Sequence, residues 1–411
     1  MIYRNRFITD KIQRYLKYFP VVVLTGARQV GKSTLLKHLL GETHEVVVFD
    51  PVMDIENARK EPELFFQNHT GPLVLDEIQY APELVPVIKR LVDEEKEPGK
   101  YVITGSQQWG VLQTISESLA GRAVLLHLMG YHLPEASSAP IQERWIEGVI
   151  QRGRIDTLPH KRFSLPTTLL NQLYRGQLPG VQELPIDVVP GYLDSYIRTY
   201  IERDVRLMAE ISDMQMFGRF FRLCGALSAQ EINFNQLGRD IGVTPQTAKR
   251  WVDILRMTFQ WIELPAYSGN TIKRVSGRPK GFFPDTGLLC NSLFLSTPEA
   301  LPSHPQWGSI IETYIVLDII KTLTTMQPGA GIYHWRSHGG AEVDMVLEQN
   351  GVFIPIEIKS TTRPSKKDTL GIRAFRDTYP HLEIGDGIVV HLGTNNYKLS
   401  DNETAIAYSD L

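Results

Sequence analysis

The sequence predicts an α/β fold class, with a doubly wound parallel sheet first, a helical region next and a smaller α/β unit last. Three observations carry that prediction. Apolar runs near 21–25, 46–50, 73–76, 101–105 and 123–129 alternate with helical stretches, as crossover helices between parallel strands require. Leu193–Ala209 and Phe234–Leu255 show helical spacing of their apolar residues instead. Beyond residue 340, two strand-like runs face each other across "EQNG", a hairpin turn sequence.

Size and composition bound the rest. The 411 residues allow two or three domains at roughly 100–200 residues each. With 42% apolar and 22% charged residues, a large core is within reach and disorder is not indicated. Cys224 and Cys290 are too few for a disulfide framework and lack metal-ligand spacing, which fits a reducing compartment. The N-terminus has no signal-peptide apolar core, and no run nears the ~18 apolar residues that cross a bilayer. A cytoplasmic location with no membrane partner is therefore expected. Net charge is only −3, but Asn233–Lys280 holds eight Lys/Arg against three acids. That segment is +5 and the remainder −8, and a basic island in an acidic chain points to an anionic partner.

The first strand, Val21–Thr25, runs into Gly26, Ala27, Arg28, Gln29, Val30, Gly31, Lys32 and Ser33, with Thr34 next on the following helix. This matches the phosphate-loop pattern G-x-x-x-x-G-K-[ST] in full. Glycines let backbone N–H groups point at phosphate oxygens, and the helix adds its positive N-terminal end. Lys32 is expected to reach the β/γ-phosphates of ATP, and Ser33 to ligate Mg²⁺. The sheet is thus expected to be that of a P-loop NTPase.

Such a loop needs a second strand carrying an acid. "GPLVLDEIQ" supplies it: Leu73–Leu75 is apolar, and Asp76 and Glu77 follow at the strand's C-terminal end, where ligands bind in open α/β sheets. Asp76 is expected to hold Mg²⁺ through water and Glu77 to polarise the attacking water. A third strand, "KYVITGSQ", ends in Thr104, Ser106 and Gln107, placed for the γ-phosphate or the lytic water. Arg122, before the last strand, is a candidate to stabilise transition-state charge, in cis or toward a neighbouring subunit of a homo-oligomer. Its bland alternative is to pair with an acid or cap a helix. Asp50 is expected near the same sheet edge.

Ser137–Pro190 reads as a helical connector. Leu193–Ala209 is an amphipathic helix expected to pack on the ATPase core; if any residue on its polar face touches nucleotide, Arg203 is the candidate. "FNQLGRDIGVTPQTAKRWVDIL" has a helix-turn-helix layout. Asn235–Ile241 ends at Gly242, Thr244 is a good N-cap, and Pro245 sits at the first helical position. Thr247, Lys249 and Arg250 share one side of the second helix. The Gly- and basic-rich loop after it, Ser268–Lys280, reads as a wing. Lys273, Arg274, Arg278 and Lys280 would lie beside a DNA backbone while the second helix enters the major groove.

The last third holds a second pattern. Asp344 lies in one strand of the hairpin, and Glu357 and Lys359 close the other as E-x-K, while Glu312 sits on an upstream helix. Three carboxylates suit Mg²⁺, and Lys359 suits a water nucleophile or the phosphorane. Arg363, Lys366 and Lys367 follow at once, placed for a phosphate backbone.

Taken in order, "LTGARQVGKSTLL", "LVLDEIQ", "ITGSQ", "SLAGR", "SYIRTYIERDV", "LGRDIGVTPQTAKRW", "FFPDTGLL" and "AEVDMVLEQNGVFIPIEIKS" make the chain resemble a family nearly end to end. The family is that of bacterial and archaeal AAA-type additional-strand ATPases with a C-terminal DUF4143 domain. The resemblance implies an ATPase domain over 1–136, a helical linker or lid over 137–210, a winged helix over 211–300, and a nuclease-like domain over 301–411. The last would have the α/β restriction-endonuclease-like fold and resemble Holliday-junction resolvases. One departure is Gly176, Gln177, Leu178, Pro179, where relatives tend to show a Gly-Gly-aromatic-Pro turn. The expected function is a Mg²⁺-dependent ATPase acting with DNA. The rival is a nucleotide-dependent switch with a protein partner and a silent nuclease-like domain.

Overall fold

The computed structural model describes residues 3–49, 56–105, 119–137, 144–159, 166–200, 205, 211, 213–269, 277–326 and 329–411. Asp50, Ser106, Gln107, Arg203, Lys273 and Arg274 lie outside the described residues.

Five short strands build the first sheet: β1 (Val21–Thr25), β2 (Glu45–Val48), β3 (Leu73–Asp76), β4 (Tyr101–Gly105) and β5 (Ala123–His127). They pair in parallel in the order β2-β3-β4-β1-β5. Because side chains alternate along a strand, each strand feeds two cores. Val22, Leu24, Val74 and Val102 face one side, where Ile8 and Ile12 of α1 (Ile8–Leu16) and Leu35 and Leu36 of α2 (Lys32–Leu40) cover them. Val21, Val23, Leu73, Leu75 and Ile103 face the other. There the covering helices are α4 (Pro62–Asn68), which follows the short α3 (Glu56–Lys60), and α5 (Leu84–Glu95), through Phe66, Val85 and Ile88. Helices on both faces make this a doubly wound parallel sheet. The C-terminal ends of β1, β3 and β4 share one edge.

The middle of the chain is helical: α6 (Leu133–Ala136), α7 (Trp145–Arg152), α8 (Leu169–Arg175), α9 (Val189–Thr199) and α10 (Met214–Ala226). After β6 (Gln230–Glu231) come α11 (Phe234–Ile241) and α12 (Pro245–Met257), then β7 (Ile262–Leu264) and β8 (Lys280–Phe282). The three strands form an antiparallel sheet in the order β6-β8-β7. Asn233 caps α11 by accepting from the Asn235 and Gln236 amides, and Gly242 ends it in the left-handed region at φ 83°. Thr244 caps α12 through the Thr247 amide at 3.1 Å. Ala248, Trp251, Ile254 and Leu255 of α12 turn inward. The Asp285 carboxylate, at the start of α13 (Thr286–Ser292), accepts from the Gln177 amide at 2.5 Å and the Leu288 amide at 3.0 Å. One buried acid thereby ties "RGQLPG" to "FFPDTGLL".

The C-terminal unit opens with α14 (Trp307–Thr325), which is buried on nearly all sides. Strands β9 (Gly331–Arg336), β10 (Glu342–Gln349) and β11 (Val352–Lys359) follow, then α15 (Leu370–Thr378), β12 (Glu383–Ile384), β13 (Gly387–His391), β14 (Tyr397–Lys398) and β15 (Glu403–Ala407). The sheet order is β14-β15-β13-β11-β10-β9, with β12 also on β11. Asn350 and Gly351 join β10 to β11 with φ of 53° and 83°, the conformation an Asn-Gly hairpin turn adopts. Among the described residues, no helix is long and apolar enough to cross a membrane.

Buried charges connect the units. Arg144 pairs with Asp318 of α14 at 2.6 Å, and Asp318 also accepts from the Leu133 amide at 2.8 Å. Lys321 donates to the Tyr131 carbonyl at 2.8 Å, and the half-buried Lys11 of α1 donates to the Thr324 carbonyl at 2.6 Å. Buried charges persist only when paired in this way.

Candidate functional site

The loop after β1 is shaped by two glycines in the left-handed region, Gly26 at φ 149° and Gly31 at φ 95°. A side chain at Gly26 would strike the Leu128 carbonyl oxygen at 2.1 Å, so the backbone after β5 fixes that glycine from behind. Lys32 is buried, and its ammonium donates to the carbonyls of Gly26 and Ala27, both at 2.9 Å. The loop is closed by its own lysine. Ser33 and Thr34 are exposed at the start of α2. Glycine-shaped loop, lysine, hydroxyl and helix N-terminus together fit a polyphosphate and its Mg²⁺. Helix α9 lies on the loop, with the Tyr192 hydroxyl donating to the Gln29 side chain and Tyr196 reaching the Arg28 carbonyl at 3.5 Å.

The acids stand two strands away. Asp76 is 2% exposed and ends β3, and the Thr104 hydroxyl of the intervening β4 donates to its carboxylate. The same hydroxyl accepts the Glu77 amide at 3.1 Å. Thr104 therefore sets both acids at once. Glu77 sits at φ 59°, a left-handed conformation that costs a non-glycine residue about 1–3 kcal/mol. The bend turns its partly buried side chain off the strand direction, and Gln79 donates to it. With β1, β3 and β4 ending at one edge, the sheet brings Lys32, Ser33, Asp76, Glu77 and Thr104 to that edge.

Arg122 does not join that site in cis. It precedes β5, whose Ala123 pairs with Val21 at the start of β1. The phosphate loop leaves the far end of β1, and five residues of strand separate the two edges by about 16 Å. The Arg122 guanidinium pairs with Asp93 of α5 and the Ala120 carbonyl.

His127, at the loop end of β5, is held neutral. Burial first, and the Lys32 charge second, push its pKa down to about 4. It lines a cavity of about 420 Å³ between the loop and the middle unit, with Ala27, Val30, Tyr196, Phe259 and Asp285 among the walls. That volume falls in the range of small-ligand pockets. No local pattern in the chain signals this cavity, because its walls are drawn from segments spread between Ala27 and Leu288.

On α12, Lys249 and Arg250 are exposed and Thr247 is half-buried; Arg278 is exposed before β8. Lys280 corrects an expectation. It does not face solvent on a wing but is buried, with its ammonium on the Glu312 carboxylate and 3.3 Å from Asp344. Two buried acids outcompete water for this one cation.

The structure brings Glu312, Asp344, Glu357 and Lys359 together. Asp344 accepts the Ile358 amide at 2.9 Å, and Lys359 donates to Glu357 at 3.1 Å. Burial and the neighbouring Asp344 push the Glu312 carboxyl up to about 8 and Glu357 up to about 9. The two acids hold Lys280 protonated against its burial. A cleft of about 550 Å³ opens beside the cluster, lined by Lys280, Glu312, His334 and Arg336 among others. Arg363, Lys366 and Lys367 are exposed on the segment after Lys359.

Comparison with known proteins follows this division. A family model described as an AAA domain matches residues 18–137. Two described as domains of unknown function, DUF8612 and DUF4143, match residues 167–299 and 307–411. The uncharacterized proteins Rv2008c of Mycobacterium tuberculosis and Mb2031c of Mycobacterium bovis are each 28% identical over 407 residues, covering 99% of this chain and 84% of the relative. Among solved structures, the Walker-type ATPase PABY2304 of Pyrococcus abyssi aligns at 14% identity with a TM-score of 0.45, covering 71% of this chain and 96% of that one. The chain thus carries an AAA-type P-loop ATPase domain followed by a DUF4143 domain.

Proposed function

We propose that the chain hydrolyses ATP at the loop between β1 and α2 and couples that cycle to DNA. The observation that carries the reading is the Thr104 hydroxyl joined to both Asp76 and Glu77 at the edge where Lys32 closes the phosphate loop. ATP enters with its β/γ-phosphates on the loop amides. Lys32 exchanges its bonds to the Gly26 and Ala27 carbonyls for phosphate oxygens. Mg²⁺, which Ser33 and Asp76 would hold, supplies positive charge to those oxygens. Glu77 orients the attacking water and takes up its proton. The cavity beside His127 receives the nucleoside.

The DNA half of the reading rests on α11–α12, the three-strand sheet behind them, and exposed cations. We read this unit as a winged helix that presents Thr247, Lys249 and Arg250 to the major groove, with Arg278 beside the DNA backbone. Arg363, Lys366 and Lys367 extend the contact onto the C-terminal unit, read as nuclease-like in fold. Mobility shift and ATP turnover with duplex and branched DNA test this. The expected result is DNA-stimulated turnover, with Lys249→Ala and Arg250→Ala each lowering the salt dependence by about 0.9 in log–log slope. The contacts of Tyr192 and Tyr196 with the loop favour a second reading, a nucleotide-dependent switch that repacks the middle unit. Neither a mobility shift nor a turnover change with any DNA would select that switch.

A further inference from the structure

The D…E-x-K pattern of the C-terminal unit calls for a divalent metal, and the residues present do not fit one. A hard divalent ion wants about six oxygen ligands. Here one Asp344 oxygen accepts the Ile358 amide at 2.9 Å, the other faces the Lys280 ammonium at 3.3 Å, and Glu357 is engaged by Lys359. Lys280 lies between Glu312 and Asp344 with its side chain 9% exposed. Among the described residues, no group of three or more His, Cys, Asp and Glu is arranged to hold a metal.

We propose that Lys280 is the resident cation of this cluster, standing where the pattern calls for a metal, and that it locks the middle unit onto the C-terminal unit. Lys280 belongs to β8, the central strand of the middle unit's sheet, whereas Glu312 comes from α14 and Asp344 from β10. An ammonium carries three donors and one positive charge, enough to hold two carboxylates that cannot be buried together without a cation. The placement is built in. Both ends of the chain between β7 and β8 dock on β9. The Tyr267 amide donates to the His334 carbonyl at 2.7 Å, and the His334 amide donates to the Pro265 carbonyl at 3.0 Å. On the other side, the His334 ring bonds the Arg278 carbonyl at 3.0 Å. Tyr267 packs among Trp335, Phe353, Phe375 and Tyr379. Docking of the two units therefore delivers Lys280 to the acids.

The test uses the full chain without nucleotide. Mn²⁺ is titrated and followed by electron paramagnetic resonance in the wild type, Asp344→Asn and Glu312→Gln. No Mn²⁺ site that either substitution removes is expected; a saturable site lost in either variant overturns the proposal. In parallel, Lys280→Met is expected to lower the Tm by about 5 °C or more, with Lys280→Arg close to wild type. Adding Glu312→Gln to Lys280→Met should recover part of the loss, because it removes an unpaired acid. Should Lys280→Met melt with the wild type, the lock does not exist. Should Lys280→Met not fold, the Mn²⁺ titration on the wild type, Asp344→Asn and Glu312→Gln still decides whether a metal or Lys280 holds the site.

Discussion

The Arg6 guanidinium lies 3.0 Å from the Glu135 carboxylate, and both side chains are about 95% buried. The same guanidinium donates to the Val30 carbonyl of the phosphate loop at 2.9 Å and to the Met129 carbonyl at 2.6 Å. One buried ion pair thus braces the loop from behind. Removing one partner strands the other charge, which costs about 3–5 kcal/mol. Arg6→Met and Glu135→Gln are each expected to destabilise by that order in denaturant melts. The double variant should lose less than the sum, since the pair shares its environment.

Thr104 is the hinge between the two acids. Thr104→Val keeps the shape but leaves Asp76 without its donor and the Glu77 amide without its acceptor. ATP turnover should fall at least tenfold with little change in KM, and Thr104→Ser should restore most of it. A fall shared equally by kcat and nucleotide binding would point to a collapsed loop instead.

His127 supplies a pH dependence. Its pKa is about 4 in the fold against an ordinary 6.5, so between those values the unfolded chain binds the extra proton. Its contribution to stability is therefore present above about pH 6.5 and lost as pH falls toward 4, at no more than about 1.4 kcal/mol per pH unit. Thermal melts at pH 5 and pH 7 check this. His127→Gln is expected to narrow the gap between the two melting temperatures.

Local pattern made the ATP site legible. The strand, glycines, Lys32 and Ser33 are contiguous, and Asp76 and Glu77 follow an apolar run whose place at a sheet edge is dictated by strand direction. The Asn350–Gly351 hairpin was legible for the same reason: two left-handed residues are needed and the sequence supplies two that tolerate it. Strand direction also decides Arg122, because a residue preceding a parallel strand lies at the edge away from the loop. Lys280 was not legible. In sequence it is one more cation of a basic segment, and its partners Glu312 and Asp344 lie 32 and 64 residues further on. Arg6 and Glu135 were hidden likewise, being 129 residues apart. Pairings of that kind are products of tertiary packing and leave no periodicity to read.

Steady-state ATP turnover with Mg²⁺ in the full chain, for wild type, Lys32→Ala and Glu77→Gln, bears most directly on the proposed activity. Wild-type turnover is expected, with at least a hundredfold loss in both variants. ATP binding should be lost in Lys32→Ala and kept in Glu77→Gln. Turnover in Lys32→Ala equal to wild type would contradict hydrolysis at this loop.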